Sequence, residues 1–183
     1  MNFIDLIKNE GKRITKKKGQ HIFRQGSQSG SLYWIESGFL KTYYTTCDGK
    51  ELIKSFITHK DIIGSLSSAY TGNTCSFSLA CLEDAILVEI PFTVIHQHSR
   101  RDQTIANHMI ETLLQFAMKK EQREFEFLCL SPEERYQKMI AESPGIINKI
   151  TQADLAKYLG LTAVGLSRIK KRVSLENTSA PAP

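Results

Sequence analysis

Four of the five residues from Arg168 to Arg172 are cationic: Arg168, Lys170, Lys171 and Arg172. Cations packed this densely suit a polyanion, and an arginine among them can grip guanine O6 and N7 with a two-pronged fork. The other chemically capable side chains form no comparable set. His96 and His98 make an HxH pair, which needs a strand to bring both rings to one face. The segment after Pro91 reads as helix, which sets them about 200° apart. Surface histidines are expected there, and no metal site. Cys47, Cys75, Cys81 and Cys129 are scattered without a CxxC pair. Reduced thiols are therefore expected rather than zinc or an iron–sulfur cluster, with a redox pair between distant cysteines left open. No phosphate loop, nucleophile elbow or HExxH occurs, and the chain is not expected to be an enzyme.

The basic cluster needs a carrier, and TQADLAKYLGLTAVGLSRIKKRV (151–173) supplies one. Thr151 can cap a first helix, with Asp154 at its third position. Leu155, Ala156 and Leu159 then share one face, and Gly160 ends the helix in a left-handed turn. Thr162 can cap a second helix with Val164, Leu166, Ile169 and Val173 as its apolar positions. Two short helices around a glycine turn make a helix-turn-helix, whose second helix enters the major groove.

Upstream, the pattern changes three times. Residues 2–10 read as a short amphipathic helix ending at Gly11, followed by a solvated charge run, Lys12 to Lys18. From Ile14 to about Pro91, short apolar runs alternate with turn signals: GQHIFRQG, SLYWIESGFLKTYYTT, ELIKSFITHKDIIG, TCSFSLACLE and DAILVEIP. Many short strands at this spacing predict a sandwich or jelly roll. Phe92 to His98 reads as a helix, and Thr104 to Cys129 as a long one without Gly or Pro. On it, Ile105, Met109, Thr112 and Phe116 recur at steps of four and three, widened by Ile110, Leu113, Leu114 and Ala117. A helix apolar on more than one side needs two partners; the barrel supplies one and a second copy of the helix the other. Ile105, Met109, Thr112 and Phe116 are taken as that homodimer interface. Ser131-Pro132-Glu133-Glu134 is a complete helix start, with Ser131 as cap and Glu134 closing the box. That helix reaches about Glu142. Ser143-Pro144-Gly145 breaks it, and Ile146 and Ile147 are read as a strand or packing turn. The tail after Val173 is expected to be frayed.

The expected fold is therefore α+β: a jelly-roll sensor domain over 1–100, a dimerisation helix over 101–130 and a helix-turn-helix domain over 131–183 with little or no wing. Apolar content of 41%, charged content of 23% and a net charge of +5 describe a soluble globular protein suited to an anionic partner. With no membrane-length apolar run and no signal-peptide pattern, the cytoplasm is the expected location.

The strings GQHIFRQG, LYWIESGFLKTYY, DGKELIKSF, DIIG, LSPEERYQKMI and ITQADLAKYLGLTAVGLSRIKKRV, in this order over nearly the whole chain, resemble the catabolite-activator and fumarate-nitrate regulator (Crp/Fnr) family. The resemblance implies a homodimeric transcription regulator with a cyclic-nucleotide-binding-type jelly roll, double-stranded DNA as partner, and RNA polymerase as a further one. Cyclic-nucleotide binders of this fold hold the ribose with a Gly-Glu pair and the phosphate with a later Arg-Ser or Arg-Ala pair. Here the stretches are Gly64-Ser65-Leu66 and Cys75-Ser76-Phe77-Ser78, and no arginine occurs between Arg24 and Arg100. Glu121 and Gln122 stand where activators carry Thr-Ser on the long helix. Without the arginine fork a cyclic phosphate has no usual partner. Tight binding of cyclic AMP is not expected, and the effector, if any, is an unidentified small molecule. On the reading helix Ala163 and Val164 replace the activators' Arg-Glu pair, while Arg168 matches their later arginine as base reader. Thr151, Gln152, Thr162, Ser167 and Lys171 are expected at phosphates or flanks, with Lys170 and Arg172 completing the basic surface. The rival reading is a sensor module whose C-terminal domain binds a protein instead of DNA.

Overall fold

A computed structural model describes residues 2–179, with side chains described as far as Val173. The chain divides into two compact units, Met1–Phe116 and Ala117–Pro183. The division falls inside one continuous helix.

The first unit opens with α1 (Phe3–Glu10), capped by Asn2, whose side chain accepts from Asp5 N. Eight strands follow: β1 (Lys12–Lys16), β2 (His21–Phe23), β3 (Ser31–Ser37), β4 (Leu40–Thr45), β5 (Glu51–Ile57), β6 (Ile62–Ile63), β7 (Ser78–Cys81) and β8 (Ala85–Pro91), with α2 (Leu66–Thr71) between β6 and β7. They form two four-stranded sheets in the orders β1-β8-β3-β6 and β2-β7-β4-β5. All pairs are antiparallel. Two faced sheets of this kind are the jelly roll that the short strands predict. Period-two alternation sends Tyr33, Ile35, Leu79, Ala85 and Leu87 into the space between the sheets. Leu32, Val88 and Ile90 point outward to meet Phe3, Leu6, Ile7, Phe92, Ile95 and Ile105 from the helices.

Several boundaries differ from expectation for local reasons. Lys12–Lys16 is not a bare charge run but an edge strand in register with β8, with Lys12 and Arg13 exposed while Ile14 turns inward. The run SLYWIESGFLKTYYTT is two strands, parted at Gly38. The φ there is +110°, and a Cβ would fall 2.5 Å from the Ala85 Cβ. GQHIFRQG contributes only three strand residues, because its second half is a turn.

Two helices then leave the roll: α3 (Phe92–Ser99) and α4 (Gln103–Cys129), the latter running on into the second unit. That unit adds α5 (Pro132–Glu142), α6 (Pro144–Ile147), α7 (Gln152–Leu159) and α8 (Ala163–Ser179). The capping box at Ser131 is complete: its hydroxyl accepts from Glu134 N, and Glu134 reaches back to Ser131 N at 2.7 Å. Ile146 and Ile147 lie in a single helical turn rather than a strand. α8 runs to Ser179 instead of fraying after Val173, and no strand follows α8 among the described residues. The expectation for Ala180 to Pro183 lies outside those residues. Also among them, no helix is long and apolar enough to cross a membrane.

Candidate nucleic-acid interface and sensor pocket

The helix-turn-helix is built by local chemistry. The Thr151 hydroxyl accepts from Asp154 N and donates to its carboxylate, both at 3.0 Å. Gly160 takes φ +71°, the left-handed stop, and Leu161 N then bonds Ala156 O at 2.9 Å. Thr162 caps α8 by accepting from Gly165 N at 3.0 Å. Leu155, Ala156, Leu159, Leu166, Ile169 and Val173 are buried together with Tyr136, Met139 and Ile150.

That burial orients α8. At about 100° per residue, Val164, Arg168 and Lys171 fall within about 60° of one another, opposite Leu166, Ile169 and Val173. All three are exposed, Val164 by 61%. Exposed Ser167 and Ala163 follow on one side. Val164 is therefore a surface residue and not one of the apolar core positions. The basic cluster does not face outward as a block. The Lys170 ammonium donates to the Gln152 side chain at 3.0 Å. Arg172 turns the opposite way and pairs with Glu133 of α5. Both residues expected at DNA thus have protein partners, which leaves Arg168 and Lys171 as the outer cations of the cluster.

The sensor stretches come together around a turn that sequence reasoning passed over, residues 24–30. Ser29 N donates to Ser68 Oγ on α2 at 2.8 Å, and the Gln28 side chain donates to Gly72 O. On the other side Cys75 N donates to Ser27 O, and Gln25 N donates to Ser78 Oγ at 2.9 Å. The groups offered to a ligand are largely spent. Ser65 is 1% exposed and caps α2. Gly64 is packed so closely that a Cβ would sit 2.5 Å from the Leu32 side chain. Cys75 and Phe77 are buried. Phe77 lies edge-on to Phe23 at 5.3 Å, with the Lys54 ammonium 3.9 Å above its ring. Ser76 remains exposed, and Leu66 packs half-buried against the helix-covered outer sheet. Glu121 and Gln122 belong to the second unit, where Gln122 bonds Glu126 at 2.9 Å. A cavity of about 340 Å³ opens elsewhere, among Ile14, Thr15, Lys16, Ile22, Tyr33 and Glu89. There the Tyr33 hydroxyl donates to Glu89, and burial pushes its pKa up to about 12.

The expected interface row on α4 needs a correction. Ile105 is fully buried against α1, α3 and the outer sheet, and Met109 packs beside it. Thr112 bonds back to His108 O, and Phe116 is half-buried. The large apolar residues α4 leaves exposed are Ile110, Leu113, Leu114, Met118, Phe125, Phe127 and Leu128.

Residues 13–102 match the cyclic nucleotide-binding domain family. Electron transport regulator A of Shewanella oneidensis is 27% identical over 170 residues, and the fumarate nitrate reduction regulatory protein of Klebsiella oxytoca is 29% identical over 170. Each comparison covers 85% of this chain and 66% of the relative, so the chain spans just under two thirds of their length. Among solved structures, FixK2 from Bradyrhizobium japonicum is similar in fold, with a TM-score of 0.78 at 14% identity, covering 94% of this chain and 89% of that one. With a cyclic nucleotide-binding domain, a long helix and a helix-turn-helix in that order, the chain is similar over most of its length to regulators of the Crp/Fnr family.

Proposed function

We propose that the chain is a sequence-specific double-stranded DNA-binding transcription regulator that works as a homodimer. The observation that carries this reading is the outer face of α8, where Val164, Arg168 and Lys171 project from a helix held by a capped turn. Arg168 reads a guanine, Val164 and Ala163 touch thymine methyls, and Lys171, Ser167, Thr162, Thr151 and Gln152 meet phosphates. Selection of bound duplexes from a random pool tests it. The expected product is a palindrome with half-sites about 34–36 Å apart, one helical turn, and affinity that falls steeply with salt as counterions leave. Failure to enrich any duplex, with capture of a protein by α8 instead, would establish the rival protein-binding head.

The sensor part of the proposal is that cyclic AMP is not the effector. In the stretch Cys75 to Ser78, where the resemblance expects the phosphate-holding arginine, Cys75 and Phe77 are buried and the Lys54 ammonium lies over the Phe77 ring. Isothermal calorimetry with cyclic AMP should show no binding at micromolar ligand; a micromolar or tighter dissociation constant overturns this. Contact with RNA polymerase is proposed on the family alone.

A further inference from the structure

We propose that Arg123 and Arg135 are positioning residues for the reading helix, locking the C-terminal end of α7 onto the last turns of α4. This rests on the DNA-reading function proposed above. The last carbonyls of a helix have no partner within it and gather partial negative charge. Two guanidiniums supply what α7 lacks. Arg123, on α4, donates to Tyr158 O, and Arg135, on α5, donates to Leu159 O at 3.3 Å. Arg135 also donates to Leu130 O at 2.9 Å and Phe127 O at 3.4 Å, so one side chain serves the ends of both helices.

The rings interleave with these cations. The Arg123 guanidinium lies 3.7 Å from the Tyr158 ring centre and 4.3 Å from that of Phe127, with Arg135 at 4.9 Å on Phe127. Phe127 in turn abuts the turn of the helix-turn-helix: a Cβ on Gly160 would fall 2.9 Å from its ring. Glu126 sits 4.0 Å from Arg123 and 3.3 Å from Lys138, bringing a carboxylate to the group. The planar fork and stacking of arginine fix direction as well as charge, which lysine cannot do. The Arg135 Nε is buried without a hydrogen-bond partner. Because α8 begins three residues beyond Gly160, holding α7's end and that turn fixes where the reading helix starts on the last turns of α4.

The test uses the full chain with Arg123→Gln, Arg123→Lys and, should the glutamine variant fold poorly, Phe127→Leu. Binding is measured on the selected operator and on operators with half-sites moved one base pair closer or farther. Arg123→Gln should bind the operator about tenfold more weakly, the equivalent of one charged hydrogen bond. It should keep the base preference within each half-site and lose the preference for spacing. Arg123→Lys should fall between. Independently of DNA, amides of residues 159–168 should exchange about tenfold faster in the variants while β3 and β8 stay protected. Unchanged spacing preference, or unchanged exchange over 159–168, overturns the inference. If the parent chain binds no duplex, the DNA reading fails, and the exchange result still decides whether these arginines hold the head.

Discussion

Burial sorts the four thiols into two kinds. Cys47 and Cys129 are exposed, whereas Cys75 and Cys81 are buried, and burial pushes the Cys81 pKa up to about 11. The thiolate is the reacting form, so a buried neutral thiol is inert. With an aromatic disulfide reagent at pH 8, two thiols should react quickly in the native protein and the other two only after denaturant is added. The reading helix gives the second residue-scale prediction. Arg168→Ala should cost about 1–3 kcal/mol on the selected operator and relax the preference at one base per half-site. Lys171→Ala should weaken all sequences alike and lower the salt slope. Arg172→Ala should do less to DNA than to the Glu133 contact it makes inside the head. The scatter of thiols and the polarity of α8 were legible because both are local facts. The partners of Lys170 and Arg172 were not, since Gln152 and Glu133 lie 18 and 39 residues away in the chain.

Helices announced themselves through their caps. Ser131 and Thr151 each accept from a backbone N–H three residues on, as their sequence positions imply, and Asn2 does the same at the start of α1. Thr151→Ala should therefore destabilise the head by about 0.5–2 kcal/mol in urea unfolding. Thr151→Ser should recover most of that loss, since it keeps the accepting oxygen. Strands were harder. KRITK carries three cations in five residues and reads as a solvated run. Its partner β8 begins about seventy positions later, and only that pairing turns Ile14 inward. The same limit hid residues 24–30, whose serines and glutamines are ordinary loop residues until they bond α2 on one side and Ser78 on the other. Period alone also left α4 ambiguous. Helical spacing found an apolar helix with two faces but could not say which face packs on its own unit. The outer sheet and α1 took Ile105 and Met109, and the Ile110, Leu114 and Met118 side was left exposed.

At the scale of the whole molecule, that exposed side asks for a second copy. Ile110, Leu113 and Leu114 are 54%, 36% and 56% exposed, and Met118, Phe125 and Leu128 are 59%, 52% and 77% exposed. At about 100° per residue, Ile110, Leu114, Met118, Phe125 and Leu128 keep within about 80° of one another, the narrow seam of a two-stranded coil. An apolar row of this kind, broken at Glu121, is rare on a monomer and marks an interaction site. Glu121 falls inside the row and is the one charge a partner would have to accommodate, a device that sets register at some cost in stability. Leu114→Asp places a second charge at the centre of the seam without touching the core that holds Ile105. It should leave the melting of the sensor sheets nearly unchanged while shifting sedimentation from dimer to monomer. The same variant should bind a full palindrome no better than a single half-site, because the gain from two linked heads is lost with the link. A variant that still sediments as a dimer would place the interface elsewhere; one that becomes monomeric yet keeps full palindrome affinity would separate pairing on α4 from DNA reading.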